Sequence, residues 1–233
     1  MKNTLIMSLV VLGFAMLTAT TGWAYPVAVG DRVRMYDGDT VSTPWEGHYQ
    51  ADNLADAAGT FGVFCLEKNE YFYPAPTYNA VYRVESVLEY AKNGGISGFD
   101  ALVGGDPLSY ATKWIFSHFM QKDLVSVVGL TNSYNLDAEI QAAIWKLEGE
   151  ITSISGDALT IYNKALLASG PLAYDVKVMN LVYAEAFNGY KVGDFAQSQL
   201  IAQPVPEPST MVLFGAGLAG LALARRRFTK KAS

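Results

Sequence analysis

The last thirty residues of this chain set themselves apart from any folded domain. Pro206 and Pro208 bracket Glu207. Each proline fixes its own backbone, withholds an amide donor and pushes the preceding residue into extended conformation, so neither a helix nor a central strand forms there. Residues 211–224 follow without one charge, and then come Arg225, Arg226, Arg227, Lys230 and Lys231. The uncharged run is shorter than the ~20 residues that comfortably span a bilayer, with Ser209, Thr210 or a snorkelling Arg225 as its extension. Five cations beyond it predict a C-terminus held in the cytoplasm by the positive-inside bias. The expectation is a short membrane helix with a basic stop, separating residues 204–233 from a domain upstream.

The order of these parts (Pro-Glu-Pro, apolar segment, basic cluster) closely resembles the PEP-CTERM sorting signal of Gram-negative bacteria. The resemblance implies that an exosortase, a transpeptidase-like membrane enzyme, reads Pro206-Glu207-Pro208. It would cut there and pass the exported protein to the cell surface or extracellular matrix. That is an address, not an activity. Within the segment, Gly215-Ala216-Gly217-Leu218-Ala219-Gly220 matches the dinucleotide fingerprint G-x-G-x-x-G. The fingerprint needs a strand before it, a helix after it and an acidic residue further on. Prolines precede it here, so close packing of small residues in a membrane helix is the better reading.

At the other end, Met1-Lys2-Asn3, an apolar core over residues 5–17 and Gly22-Trp23-Ala24 read as a secretory signal peptide. The expectation is a signal over residues 1–24, cut between Ala24 and Tyr25, and an extracellular domain over residues 25–203. Six of the seventeen basic residues lie in the two ends, so residues 25–207 carry eleven basic residues against all twenty-two acidic ones. Such a surface excludes nucleic acid and anionic headgroups as partners and favours neutral glycans, cation-bridged polymers or basic proteins. Cys65 is the only cysteine, so no internal disulfide is possible.

Alternation predicts strands over residues 29–36, 60–66, 78–90, 175–183 and 198–202. In the last of the long ones, Val176, Val178 and Asn180 are set against Lys177 and Met179. Residues 78–90 also fit a helical period; β-branched and aromatic content decides for a strand. Asp37-Gly38-Asp39 reads as a turn. Half of a calcium site is the alternative there, but no Asp-x-Asp-x-Asp-Gly loop follows. Three helices are expected in between. The first is capped by Asp106, with Pro107 in its first turn and Leu108, Ala111, Ile115 and Phe119 as its apolar stripe. The second covers residues 136–147 and ends at Gly149; the third runs from Asp157 to Gly170-Pro171. Strands, then helices, then strands predict an α+β fold: a β-sandwich or barrel-like sheet with a helical insertion.

Two short motifs carry chemistry. Phe64-Cys65-Leu66 sets the cysteine between apolar neighbours on a strand, and Ile140-Gln141-Ala142-Ala143-Ile144-Trp145 sets a glutamine on the middle helix. The pair resembles the bacterial thioester domains of Gram-positive surface adhesins, where aromatic-Cys-apolar and apolar-Gln-x-x-apolar-apolar motifs occur in this order. The resemblance implies that Cys65 supplies the sulfur and Gln141 the acyl group of an internal thioester formed with loss of ammonia. Phe64, Leu66, Ile140, Ile144 and Trp145 would flank it. A surface-protein amine or a polysaccharide hydroxyl attacking that bond would become joined to Gln141, a covalent capture without turnover. Phe64, Tyr71 and Trp145 are the residues expected to shield it from water. Beside this stands a plainer reading: a buried thiol packs as a small hydrophobe, and the protein is a non-covalent structural matrix component.

Enzyme readings find less to stand on. A cysteine hydrolase needs a histidine base and an orienting partner. Only His48, in a loop, and His118, among Ile115, Phe116, Phe119 and Met120, are present. One cysteine and two histidines fall short of a zinc set, so no metal or cofactor is expected. Glu67, Glu148 and Glu150 are of the type glycoside hydrolysis uses in pairs, but at strand and helix ends the expectation is a solvated side chain. The reading is an exported adhesin-like or matrix module rather than an enzyme, with a secreted hydrolase as the lesser alternative. Its expected partners are exosortase, the inner membrane in transit, and an extracellular polysaccharide or surface protein.

Overall fold

The computed structural model describes residues 24–37, 48–55, 59–93, 98–131, 135–206, 214–218 and 220–221. The signal segment up to Trp23, the turn at Gly38-Asp39, Glu207, Pro208 and the basic cluster from Arg225 to Lys231 lie outside the described residues, as does much of the apolar run. Among the described residues no helix is long and apolar enough to cross a membrane. Ala24–Gln203 forms one unit by its internal contacts.

In chain order the unit comprises β1 (Arg32–Asp37), β2 (Tyr49–Asn53), β3 (Thr60–Val63), β4 (Val81–Leu88), β5 (Tyr90–Ala91) and β6 (Asp106–Pro107). Four helices follow: α1 (Tyr110–Gln121), α2 (Leu124–Val128), α3 (Leu136–Leu147) and α4 (Gly156–Leu166). β7 (Tyr174–Tyr183) and β8 (Phe195–Pro204) complete it. Six strands make one sheet in the order β3-β2-β1-β4-β7-β8, and β5 pairs with β6 separately. β1 runs antiparallel to both β2 and β4, β2 to β3, and β4 to β7. The fold is thus a mixed one, with a large antiparallel sheet and the helices inserted between β6 and β7.

Beyond β3 the chain stays extended and reaches the opposite edge of the sheet. The Leu200 N–H donates to the Phe64 C=O at 2.9 Å, and the Leu66 N–H to the Ser198 C=O at 3.0 Å. Cys65 thereby pairs antiparallel with Gln199 of β8. Backbone groups that would otherwise stand open at a strand edge are covered in this way.

Strand alternation divides the core in two. Phe64 and Leu66 join Ile115, Phe116, Ile140, Ile144, Ile161 and Leu200 on the helix side of the sheet. Cys65 falls in the other cluster, with Met35, Tyr49, Val63, Tyr82, Met179 and Leu181. β7 sits inside the sheet, so its residues are buried from Val178 onward on both faces. Met179, expected outward beside Lys177, is fully buried for that reason.

Two helix boundaries differ from expectation. Asp106 and Pro107 do not open α1. They pair with Ala91 and Tyr90, and the Leu108 N–H donates to the Glu89 C=O at 2.9 Å, which keeps the chain extended. Ser109 is the cap instead, its hydroxyl accepting from the Thr112 N–H at 3.1 Å. α4 ends at Leu166, short of Gly170-Pro171, and the Gly170 C=O is taken by the Tyr110 hydroxyl at 2.8 Å.

Candidate functional site

The pairing of Cys65 with Gln199 decides what happens around the cysteine. The ladder bonds to β8 are made by Phe64 and Leu66, so this is a non-hydrogen-bonded pair, and the N–H and C=O of Cys65 itself point away from β8. Buried backbone groups need partners, and Gln141 supplies both. The Cys65 N–H donates to Gln141 Oε1 at 2.9 Å, and Gln141 Nε2 donates to the Cys65 C=O at 2.7 Å. The two residues, 76 apart in sequence, are 3% and 1% exposed.

α3 delivers Gln141 to this point. Ile140, Ala143 and Ile144 anchor the helix in the helix-side cluster, while Trp145 packs against the cluster that holds Cys65. Gln141 and Trp145 are one turn apart and share a helix face. Gln141 therefore lies at the border between the two clusters, level with the strand that carries Cys65.

At the sulfur itself the neighbour is a different glutamine. Gln199 Nε2 lies 3.6 Å from Cys65 Sγ. Burial pushes the Cys65 thiol far above its ordinary range. The Gln199 hydrogen bond acts the other way, and the Glu67 charge adds to the rise. The thiol is therefore protonated in the folded domain at neutral pH.

Phe64, Leu66, Ile140 and Ile144 are fully buried, and Trp145 is half-buried with Lys68 Nζ 5.9 Å from its ring centre. Tyr71 is 60% exposed. Phe64 packs on the helix side, edge-on to Phe116 and Phe119 at 6.1 and 5.0 Å, while the buried aromatic residues in the cluster that holds Cys65 are Tyr49, Phe72, Tyr82 and Tyr183. Both histidines are engaged by carboxylates: His48 Nδ1 with Asp137 Oδ2 at 2.8 Å, and His118 Nδ1 with Asp123 Oδ1 at 2.7 Å. Among the described residues no cluster of His, Cys, Asp and Glu has the arrangement to hold a metal ion. Pro206 is described, but nothing of the motif after it.

The glutamates expected in solvent are not there. Glu67, Glu148 and Glu150 are 1%, 7% and 4% exposed. Each acts as an acceptor for groups that would otherwise be orphaned. Glu67 Oε2 takes the Ser198 N–H at 3.0 Å and Glu150 Oε2 the Lys68 N–H at 2.9 Å. Glu148 Oε1 takes the hydroxyls of Ser109, at 2.8 Å, and of Thr112. Burial, then the charge of Glu70, pushes Glu67 up to about 8. Burial is also the main cause that brings Glu70 and Asp106 to about 7, with the Glu150 charge adding to each.

Residues 204–227 match the PEP-CTERM protein-sorting motif, which implies an exported, exosortase-processed protein associated with the cell surface. No curated protein matches the chain. Two solved structures are neighbours of this one. The N-terminal thioester domain of a surface protein from Clostridium perfringens, a cysteine-to-alanine mutant, aligns with a TM-score of 0.48 at 10% identity, over 75% of this chain and 99% of its own. The N-terminal thioester domain of the fibronectin-binding protein SfbI from Streptococcus pyogenes aligns with a TM-score of 0.46 at 16% identity, over 81% and 100%.

Proposed function

We propose that residues 25–203 form an adhesin-like capture module, exported under the signal over residues 1–24 and parked at the inner membrane. Exosortase then acts at the sorting signal over residues 204–233. Capture runs through an internal thioester between Cys65 and Gln141, opened by an amine of a surface protein or a hydroxyl of an extracellular polysaccharide. The observation that carries this is the seating of the Gln141 amide on Cys65, with both residues buried and held by separate elements. Such an acyl donor and nucleophile need only a local shift to meet. No residue turns over a substrate in this scheme; capture consumes the bond once.

A second reading is favoured by the same contact. Both polar atoms of the Gln141 amide already serve the Cys65 main chain, so Gln141 acts as a cap on the strand and Cys65 as core packing. The protein is then a non-covalent matrix module.

Mass decides between them. The purified, non-reduced protein weighs one ammonia less than its processed sequence if the bond is closed, and methylamine restores mass at Gln141 while freeing one thiol. Full sequence mass in fresh protein would sink the covalent reading and leave the second.

A further inference from the structure

Neither reading accounts for Gln199. It is fully buried on β8, opposite Cys65 in the type of pair that brings facing side chains closest. Its Nε2 lies 3.6 Å from Cys65 Sγ and 3.3 Å from the Gln197 C=O. Its Oε1 is buried and has no hydrogen-bond partner among the described residues. An orphaned amide oxygen costs stability that an apolar side chain of the same shape would not. Packing is therefore not the reason for a glutamine here. What the position gains over an apolar residue is an N–H donor fixed against sulfur.

We propose that Gln199 is the residue that holds the Cys65 sulfur, donating its amide N–H to the thiolate from which the thioester closes and to which it opens. The inference rests on the covalent reading above and assigns a second glutamine to it. Gln141 gives the acyl group; Gln199 stabilises the sulfur.

The chemistry sets the requirement. In closure, Cys65 Sγ attacks Gln141 Cδ; the S–C bond forms, the Cδ–Nε2 bond breaks, and the thiol proton leaves with the amide nitrogen as ammonia. In opening, the attacking amine forms a bond to Cδ, the S–C bond breaks, and the amine's proton ends on sulfur. No electrons are exchanged with an outside oxidant or reductant in either direction. Both pass through negative charge on sulfur, and the apolar surroundings of Cys65 oppose that charge. A donor already aimed at the sulfur offsets this without reorganisation at the moment of reaction. Glu67, the titratable side chain whose charge acts on the thiol, works in the opposite sense. It is retained in every variant below.

The test compares Gln199→Leu and Gln199→Glu with wild type in the full-length chain. Ammonia loss is followed by mass, opening by added methylamine, and reactivity of the opened thiol by alkylation with a small haloacetamide across pH. Gln199→Leu should close and open at least about tenfold more slowly, and its thiol should alkylate about tenfold more slowly at a given pH. Gln199→Glu keeps the shape but donates a hydrogen bond only while protonated. Its rates relative to wild type should therefore fall as pH rises through that titration, which a packing role would not produce. Folded variants with wild-type rates and alkylation profiles would overturn the assignment. So would methylamine recovered on Gln199 in wild type, since Gln199 would then be the acyl donor itself. Wild-type protein at full sequence mass overturns the covalent reading separately, and the alkylation profiles still decide whether Gln199 holds the sulfur.

Discussion

Gln141 meets Cys65 through the cysteine's main chain: Oε1 accepts from its N–H at 2.9 Å and Nε2 donates to its C=O at 2.7 Å. A side-chain amide stands where a neighbouring strand would otherwise run. The strand that carries Cys65 is bonded to β8 through Phe64 and Leu66, so it depends on the helical insertion for the rest of its backbone partners. Sheet and helices are joined at the residue on which the proposed chemistry turns.

That arrangement ranks two substitutions. Gln141→Ala leaves a buried N–H and a buried C=O unpaired, at about 1–3 kcal/mol for each group. Cys65→Ala removes one sulfur from a packed core, about 1–2 kcal/mol by analogy with small core truncations. In urea denaturation of methylamine-treated protein, where no cross-link contributes, Gln141→Ala should therefore lose more stability than Cys65→Ala. The reverse order would mean that the amide does not support the strand.

The buried carboxylates give the domain a pH dependence opposite to that of salt-bridged acids. Glu67 titrates at about 8 when folded, and Glu70 and Asp106 at about 7, all above their ordinary values. Between the ordinary carboxylate range and pH 8 the folded state binds more protons than the unfolded one, so stability falls as pH rises through that window. The melting temperature should be higher near pH 5 than near pH 8, by on the order of several degrees. Glu67→Gln keeps the shape without the charge and should flatten the curve. A melting temperature that rises steadily from pH 5 to 8 would contradict the burial of these groups.

The strands were legible where side chains alternate or where β-branched and aromatic residues decide, as in β4. α3 was legible, from about Leu136 to Leu147, because its apolar stripe runs the whole helix. What was hidden depends on contacts far apart in sequence. Ser109 lost the reading of a cap to Asp106-Pro107 because nothing local reveals that those two residues pair with β5. The burial of Glu67, Glu148 and Glu150 was invisible for the same reason: their partners are Ser198, Ser109 and Lys68. The motif picked out Cys65 and Gln141, but no motif marks Gln199, which shows itself only as a residue opposite Cys65 on β8.

Ser109 joins two of these hidden features. Its hydroxyl accepts from the Thr112 N–H and donates to Glu148 Oε1 at 2.8 Å. Ser109→Ala should cost about 1 kcal/mol for the cap and about 1–3 kcal/mol for the acceptor left short of a donor. Ser109→Asp keeps the cap acceptor but sets a second carboxylate against Glu148, and should be the worse of the two at pH 8. Chemical denaturation at pH 5 and pH 8 measures both. Equal stability of the two variants at pH 8 would mean that Glu148 is not held by Ser109.

The sorting motif makes its own prediction, independent of the thioester. Pro206 and Pro208 each withhold an amide donor on either side of Glu207, and the sequence therefore leads one to expect an extended substrate for the processing enzyme. Replacing both with Ala restores the amide donors and removes the bias toward extended backbone. The variant should remain in the inner-membrane fraction with Arg225, Arg226, Arg227, Lys230 and Lys231 still attached, while wild type appears at the surface or in the matrix without them. Intact mass of protein from each fraction separates the two. Release of the double variant with the basic cluster removed would show that Pro-Glu-Pro is not what the enzyme reads.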